Sequence, residues 1–427
     1  MASFSFGAGN AGKLLRIPLY LLGRVATLVI PRTSDVWVFG SAVGVADGAL
    51  AVHRHATDAG ERAIWLTGSA DEDADARSRG IPFVRRHSLR GFWLTARARV
   101  IVITHGFGDV NRYAATGGVV VQLWHGIPLK RIGLDATVTT ASPVPFARGA
   151  VARVLAALYR RTQGRIRVLP AASEIVRGRL ESAFGLDTLR VPVAGEPRTD
   201  TLSQGAADER RARARARIGA LLGEDPGPAP VVLYAPTWRD GAPDPAPPTG
   251  TELAALQALL AETGALLLVR SHHLGGSAAG GSAAAGAAAA GTASAAGIRP
   301  FGSDVVADIT PLLPGFDALI TDYSSLAFDA ALVPLATLFH APDLAAYERS
   351  RGFYGTYADV AGDDAAHDWA TLIDQLRGVL TDPGARAERT HRAERLSARV
   401  HAFRDGRNTE RVYRAIRHAL SPTERVS

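Results

Sequence analysis

The chain contains no cysteine, and only one of its 427 residues is methionine. Without cysteine it can form neither a disulfide nor a thiolate metal site, so packing must hold its interior together. It also lacks an apolar run of the roughly 18 to 20 residues that a membrane-spanning helix requires. Pro18 and Arg24 interrupt the apolar residues near the start, which argues against a signal peptide. We therefore expect neither a disulfide-stabilised scaffold nor a chain that crosses a bilayer.

Positive charge is in modest excess, with 48 Lys and Arg against 41 Asp and Glu. The net charge of +7 favours acidic partners, which include nucleic acids, anionic lipids and phosphate polymers. Residues 208–217 are rich in alternating alanine and arginine and are predicted to form an exposed connecting helix, with contact to an acidic polymer or lipid surface as the alternative. This segment has no interleaved aromatic residues on which bases could stack, so we expect no nucleic-acid partner.

The segment 13–30 mixes apolar residues with Lys13, Arg16 and Arg24, as helices in a membrane interface do. The same composition suits an ordinary helix packed on a domain. We interpret residues 1–32 as containing a membrane-surface helix, with the packed helix as the open alternative.

Eight short apolar runs are separated by helical or glycine-rich segments, which is typical of parallel sheets covered on both faces. A chain of this length accommodates two domains, so we predict an α/β fold in two halves. Residues 275–297 are almost entirely Ala, Gly and Ser, too poor in large apolar side chains to build a core, and are predicted to form a mobile insertion. The runs lie at 36–40, 62–66, 100–103, 119–123, 231–234, 265–269, 318–320 and 335–339.

The run at 119–123 leads directly into Trp124 and His125, and Lys130 follows. Ligands of open α/β sheets bind beyond the carboxyl ends of the strands, so an ionisable ring and a cation stand where chemistry is expected. The alternative is that His125 caps a strand and Lys130 is a surface charge.

Polar side chains also follow three runs of the second half. Parallel strands end on one edge, where Arg can clamp a phosphate and His can donate a proton or a hydrogen bond near neutral pH. A serine after the run at 318–320 would begin a helix and favour an anion, although a simple N-cap or a structural histidine explains each residue taken alone. The residues at these strand ends are Pro236, Thr237, Arg239, Arg270, Ser271, His272, Asp322, Ser324 and Ser325.

No segment has the spacing of a metal site. Residues 71–75 offer several carboxylates without a partner motif and are interpreted as a solvated acidic turn. His53 and His55 lack the ligand spacing of zinc sites and are interpreted as structural or exposed.

Six motifs resemble the CDP-glycerol glycerophosphotransferases that build teichoic acids. The likeness covers roughly residues 95–415, in the order of the family. The motifs are WHGIPLKRIGLD (124–135), GEPRTD (195–200), YAPTWRD (234–240), ITDYSS (320–325), RGFY (351–354) and HAFRDG (401–406).

The resemblance implies a GT-B-like fold, with two Rossmann-like domains and a ligand cleft between them. On this basis we expect an acceptor-side domain at 33–205, a basic helix and linker at 206–230, a CDP-donor-binding domain at 231–385 and C-terminal helices at 386–427. It also implies a peripheral protein at the cytoplasmic face of the membrane, bound to its anionic surface. No cofactor is implied with certainty, and a need for a divalent ion stays open.

The resemblance further implies the substrates and the site. CDP-glycerol is the donor, and a lipid-linked or polyol-phosphate hydroxyl is the acceptor. His125 and His272 match the two histidines tied to catalysis in the family, with Lys130, Arg239 and Asp322 in support. The residues expected to contact the donor are His125, Gly126, Ile127, Pro128, Leu129, Arg198, Pro236, Thr237, Arg270, Ser271, His272, Ser324, Ser325 and Asp329.

The chain departs from the family pattern at Ile127, where the family usually has Thr, at His273, where it usually has Pro, and in the insertion 275–297. These departures leave the phosphate-binding residues intact and bear on the choice of acceptor. The hypothesis is that the acceptor hydroxyl attacks the β-phosphorus, with His125 as general base and CMP as the leaving group. The alternatives are a ribitol-phosphate or sugar transferase on the same fold, or a non-catalytic polymer- or membrane-binding relative.

Overall fold

The computed structural model describes residues 17–31, 35–140, 148–237, 247–270 and 297–421. Its internal contacts divide the chain into two compact units. The first comprises Met1–His125, Arg131–Asp200 and His401–Ser427, and the second comprises Gly126–Lys130 and Thr201–Val400. Each unit is built on one parallel sheet, so the predicted pair of α/β halves is confirmed.

The first unit contains a six-stranded sheet in the order β3-β2-β1-β4-β5-β6, the order of doubly wound dinucleotide-binding sheets. The four inner strands coincide with apolar runs predicted from the sequence. Strands β3 and β6 were not predicted, because they lie at the two edges and are too short to show an apolar run. The strands are β1 Val36–Phe39, β2 Arg62–Thr67, β3 Phe83–Arg85, β4 Val100–Ile103, β5 Val119–Gln122 and β6 Ile166–Val168.

The second unit contains a five-stranded parallel sheet in the order β11-β10-β7-β8-β9. Neighbouring residues of β7 belong to different core clusters, with Val232 and Tyr234 in one and Val231 and Leu233 in the other. Both faces are therefore covered, which explains why the strands read as continuous apolar runs. The strands are β7 Val231–Ala235, β8 Leu266–Val269, β9 Ile298–Pro300, β10 Ala318–Thr321 and β11 Ala336–Phe339.

Fifteen helices are present among the described residues. In chain order they are α1 Ile17–Val29, α2 Asp47–Asp58, α3 Ala70–Ser78, α4 Leu89–Arg97, α5 Thr137–Thr140, α6 Arg148–Gln163, α7 Glu174–Phe184, α8 Ala207–Leu222, α9 Gly250–Thr263, α10 Leu326–Ala331, α11 Leu344–Arg351, α12 Ala358–Ala361, α13 Trp369–Thr381, α14 Pro383–Val400 and α15 Asn408–Leu420. None of these helices is long and apolar enough to span a membrane.

The acidic residues at 71–75 form the start of α3, and the prediction of a solvated turn is wrong. The Ser69 side chain accepts a hydrogen bond from the Glu72 backbone N–H and so caps the helix. Asp71, Glu72 and Asp73 occupy the first turn, where carboxylates stabilise the positive end of the helix dipole.

Aromatic rings fill the core of the first unit. The rings of Trp37, Phe39 and Trp65 stack in sequence, with centroid distances of 6.4 and 6.3 Å. His53 packs edge-on against Phe39 and Trp65, and both of its ring nitrogens are buried without a hydrogen bond. Burial, helped by the charge of Arg54, lowers the pKa of His53 from 6.5 to about 4. His53 is therefore a neutral core residue.

Helix α8 carries the alternating Ala and Arg residues, and it is part of the second unit. Ala214 and Ile218 are buried on one side, where the helix packs against the segment Thr310–Gly315. Arg211 and Arg215 donate hydrogen bonds of 2.7 and 2.6 Å to the Asp317 carboxylate. The prediction of an exposed connecting helix is wrong for this face, because the helix is fixed to the second sheet.

The C-terminal helices predicted for residues 386–427 correspond to α14 and α15, which belong to different units. Helix α14 belongs to the second unit, whereas α15 belongs to the first and contributes Val412 and Ile416 to its core. Residues 126–130 also group with the second unit, although they lie within the predicted N-terminal domain.

Candidate active site

Strand β5 ends in a turn with unusual backbone angles. Trp124 has a φ of 64°, and it is one of two non-glycine residues with positive φ in the described chain. Its ring lies against His125, at a centroid distance of 4.1 Å, and meets Phe184 of α7 edge-on at 5.1 Å. Such backbone strain persists where packing fixes it, often at functional sites. The turn therefore fixes the backbone conformation next to His125.

The His125 imidazole is stacked and uncharged. Its ring lies parallel to that of His105, with a centroid distance of 4.2 Å and an angle of 1°. Burial lowers the pKa of His125 well below its usual value, and the charges of His105 and Arg198 lower it further, against the effect of a hydrogen bond with the Thr104 backbone. The Nδ1 atom of His125 is buried and has no hydrogen-bond partner. A neutral ring of this kind can accept a proton.

The residues after His125 pack within the second unit. Ile127 and Leu129 are buried, and the Tyr354 backbone N–H donates to the Leu129 carbonyl oxygen at 2.9 Å. Lys130 and Phe353 form an antiparallel bridge. Residues 126–130 of the first motif and the motif 351–354 are therefore parts of one local structure within the second unit.

The segment 195–200 is held by the start of α15. The Asp200 carboxylate accepts backbone N–H bonds from Asn408 and Thr409, at 2.8 and 2.7 Å. The Asn408 side chain donates to the Glu196 carbonyl oxygen at 3.3 Å. Arg198 lies in the same segment and is close enough to His125 for its charge to lower the pKa of that ring. The first unit thus brings Arg198 and His125 together.

In the second unit, β10, β7 and β8 are adjacent and parallel, so their carboxyl ends lie on one edge as predicted. Asp322, directly after β10, accepts hydrogen bonds from the backbone N–H and the hydroxyl of Thr237, directly after β7, at 2.7 and 2.5 Å. Tyr357 donates to the Asp322 carbonyl oxygen at 3.0 Å. These bonds join two of the three predicted strand ends.

The third strand end and the helix that follows β10 complete this edge. Arg270, after β8, donates to the carbonyl oxygens of Val306 and Ala307, both at 3.0 Å. Burial lowers the pKa of the Arg270 guanidinium, although Asp308 and Asp304 act in the opposite direction. The next predicted residues, Ser271 and His272, and also Arg239, lie outside the described residues.

Helix α10 begins where the sequence predicts. Ser325 is its N-cap, and the Ser324 hydroxyl accepts a hydrogen bond of 3.2 Å from the Leu326 backbone N–H. Both serines are half-buried, whereas Asp329 inside the helix is fully buried. Pro236 precedes Thr237 on the same edge and is also half-buried.

Two groups of residues near the site were not predicted from the sequence. The first is the loop after β4, where Thr104, His105 and Asp109 lie beside the predicted base. The available signal was the histidine two residues after the apolar run at 100–103. The second is an aromatic cluster around Tyr323, whose ring stacks on Tyr347 with centroids 3.9 Å apart. In the described chain no three His, Asp or Glu side chains are grouped as a metal site.

The known proteins that resemble this chain in sequence include a transferase and a polymerase named for teichoic acid. The chain is 26% identical over 313 residues to the teichoic acid glycerol-phosphate transferase of Staphylococcus aureus, a match over 70% of this chain and 72% of that protein. It is 30% identical over 253 residues to the teichoic acid poly(glycerol phosphate) polymerase of Staphylococcus epidermidis, over 56% of this chain and 31% of that protein. This chain therefore spans less than a third of the polymerase.

Solved structures show the same fold. The wall teichoic acid polymerase TagF superposes with a TM-score of 0.71 at 20% identity, over 99% of this chain and 100% of that chain. A UDP-N-acetylglucosamine 2-epimerase superposes with a TM-score of 0.50 at 11% identity, over 88% of this chain and 93% of that chain. The predicted GT-B-like fold is confirmed. The family model of CDP-Glycerol:Poly(glycerophosphate) glycerophosphotransferases matches residues 25–418, and the chain belongs to this family.

Proposed function

We propose that the protein transfers glycerol phosphate from CDP-glycerol to a hydroxyl of a lipid-linked or polyol-phosphate acceptor, in the synthesis of a teichoic-acid-like polymer. Family membership and the names of the relatives support this activity. The observation that carries the proposal is the edge of the second sheet, where Thr237 and Asp322 are hydrogen-bonded beside the serines that begin α10.

The second unit is proposed to bind the donor. Ser324 and Ser325 offer hydroxyl groups at the start of α10, which can donate hydrogen bonds to a diphosphate. Arg270 and His272 follow β8, which is separated from β10 by β7, and they neutralise charge as the P–O bond breaks. The buried Asp329 orients the groups at this helix terminus. Pro236, Thr237 and Ser271 complete the donor contacts of this unit, and Arg239 and Asp322 support them.

His125 is proposed as the general base. It takes the proton of the acceptor hydroxyl while the hydroxyl oxygen attacks the β-phosphorus of CDP-glycerol. The new O–P bond forms as the bond to the bridging oxygen breaks, and CMP leaves with the electron pair. Because His125 is neutral, it is ready to accept a proton, and an anionic substrate bound near it raises the pKa of the ring. Arg198, Lys130 and residues 126–129 position the donor.

A donor panel tests this activity. The purified protein is incubated with CDP-glycerol, CDP-ribitol and nucleotide sugars, each with a defined lipid-linked acceptor, and nucleotide release and product length are measured. We expect CMP release with CDP-glycerol. Faster release from CDP-ribitol would identify a ribitol-phosphate transferase; one relative is named a teichoic acid poly(ribitol-phosphate) polymerase. Release from a nucleotide sugar alone, or from no donor, would contradict the proposal. Product length separates a primase from a polymerase, since relatives of both names exist.

We also propose that α1 and α6 bind the anionic surface of a membrane. One face of α1 packs on the first unit, where a methyl group on Gly23 would lie 2.5 Å from the Tyr113 carbonyl oxygen. Its other face exposes Leu22, Val25 and Leu28, with 66, 59 and 72% of each residue accessible. Apolar residues on the exposed face of a docked helix favour the membrane interface over an ordinary packed helix.

Helix α6 extends this surface. Val154 and Leu158 are exposed on it, together with several arginines. Burial lowers the pKa of Arg165, and the positive charges of Arg24 on α1 and Arg161 on α6 lower it further, so the two helices lie close together. Exposed leucines beside clustered arginines are complementary to anionic lipid.

Vesicle flotation tests the membrane proposal. Leu22→Glu and Leu158→Glu should each weaken binding to anionic vesicles by about 10-fold or more, because each removes the burial of one leucine. Leu189→Glu is the matched control, since Leu189 is 94% exposed but lies outside both helices. Equal binding of all three variants and the parent protein would contradict the proposal.

A further inference from the structure

A second histidine stands beside the proposed base. β4 lies next to β5 in the first sheet, and Thr104 and His105 follow the end of β4 much as Trp124 and His125 follow the end of β5. The two imidazoles are parallel within 1°, and their centroids are 4.2 Å apart. The ring of His125 therefore has His105 against one of its faces.

The loop that carries His105 is rigidly held. The Asp109 carboxylate is buried, and its Oδ2 atom accepts the backbone N–H groups of Thr104, His105 and Gly106 at 2.9, 2.7 and 3.2 Å. The His105 Nδ1 atom lies 2.8 Å from the Thr104 hydroxyl, which donates to the Ser41 hydroxyl at 2.9 Å. His105 is thus fixed through the ends of β4 and β1.

Thr104 also links the loop to β5. Its carbonyl oxygen accepts a hydrogen bond of 2.8 Å from the Gln122 side chain, three residues before His125. The Thr104 backbone is hydrogen-bonded to the His125 ring as well. One buried residue therefore supports both imidazoles.

We propose that His105 is a positioning residue, which holds the plane of the His125 imidazole for proton abstraction. The proposal rests on the proposed function in one respect, namely that His125 is the base. Stacking fixes the orientation of the ring without occupying its in-plane nitrogen lone pair, which stays available for the proton.

His105 also sets the electrostatic environment of the base. Among the described residues, the charged or titratable groups that act on His125 are His105 from the β4 loop and Arg198 from the segment 195–200. Asp109 lies in the same loop, with its carboxylate engaged by backbone N–H groups. The charge of His105 lowers the pKa of His125. Replacing His105 by an uncharged residue should therefore raise the pKa of His125, while the effect of Arg198 remains.

Three substitutions at His105 distinguish its ring stack on His125 from its hydrogen bond with the Thr104 hydroxyl. His105→Phe keeps a flat ring, His105→Asn keeps a hydrogen-bonding group for the Thr104 hydroxyl, and His105→Ala keeps neither. We expect His105→Ala and His105→Asn to lower kcat by about 3- to 10-fold, the range expected for one lost ring stack, and His105→Phe to stay within about 2-fold of the parent. His55→Phe is the control, because His55 packs on Tyr413 elsewhere in the same unit.

NMR of protein labelled with 15N at histidine gives a readout that does not require turnover. We expect His105→Phe to move the titration midpoint of His125 to higher pH, and His105→Ala to broaden its ring signals; His55→Phe should do neither. An unchanged His125 titration in His105→Phe, or normal kcat in His105→Ala, would overturn the proposal. If the parent protein releases no CMP but the His125 signals respond as expected, the proposed function fails and the support of His125 by His105 stands.

Discussion

Gly195→Ala should destabilise the first unit and disturb the segment that carries Arg198. A methyl group on Gly195 would lie 2.1 Å from Oδ1 and 2.3 Å from Cγ of Asn408, far inside normal contact distance. Gly195 also has a φ of 77°, in the left-handed region that favours glycine. Two separate costs therefore act on the variant.

The magnitude follows from the two costs. A left-handed backbone at alanine costs about 1–2 kcal/mol. The displaced Asn408 side chain loses its hydrogen bonds to the Glu196 carbonyl oxygen and the Thr199 hydroxyl, each worth about 0.5–1.5 kcal/mol. The free energy of unfolding should therefore fall by about 2–5 kcal/mol.

Urea denaturation followed by tryptophan fluorescence measures this change. Gly80→Ala is the matched control, because Gly80 has a φ of 66° but open space around its Cβ position, so only the backbone cost of about 1–2 kcal/mol applies. Asn408→Ala removes the same two hydrogen bonds. The double variant should then cost less than the sum of the single variants, by about 1–3 kcal/mol. Equal effects of Gly195→Ala and Gly80→Ala, or strict additivity with Asn408→Ala, would refute the reasoning.

Three further changes test other parts of the structure. Replacing His53 by Leu should stabilise the protein by about 1–3 kcal/mol at neutral pH, because two buried nitrogens without partners are removed. The folded-state pKa of His53 is lowered to about 4, so the parent should lose roughly 3 kcal/mol as pH falls from 6.5 to 4, and thermal denaturation of the Leu variant should show a correspondingly weaker pH dependence. Asp317→Ala leaves a largely buried guanidinium without its carboxylate and should cost about 3 kcal/mol in urea denaturation. Thr237→Val removes the hydroxyl bond to Asp322 and should weaken CDP-glycerol binding about 5-fold by calorimetry, whereas Thr263→Val, which removes a hydroxyl bond within α9, should not.

The inner strands were predictable because strands buried on both faces must be apolar throughout. All eight predicted runs correspond to strands, whereas β3, β6 and β9 escaped detection. Each of these has three residues and lies at an edge of its sheet. An edge strand of that length buries too little surface to impose a pattern on the sequence.

The position of His125 just beyond a strand end could be predicted from the sequence, but its stacking against His105 could not. His105 lies beside His125 because β4 and β5 are neighbouring strands. The order of strands in the sheet cannot be read from the sequence of either segment. The contact of Gly195 with Asn408 could not be predicted either, since the two residues are far apart in sequence. The motifs thus contain His125 and Gly195, whereas the residues that contact them are known only from the fold.

Helix α8 shows the limit of composition as a guide. Its arginines suggested exposure, yet Ala214 and Ile218, four residues apart, form a buried side, and two arginines bind Asp317. Long arginine side chains can extend along one face of a helix, while small residues pack against the core on another face.

The most direct test of the proposed mechanism is the turnover of CDP-glycerol by His125→Ala, measured as CMP release with a lipid-linked acceptor alongside donor affinity by calorimetry. If His125 is the base, turnover falls about 100-fold or more while donor affinity changes much less. Near-normal CMP release by His125→Ala would contradict the assignment.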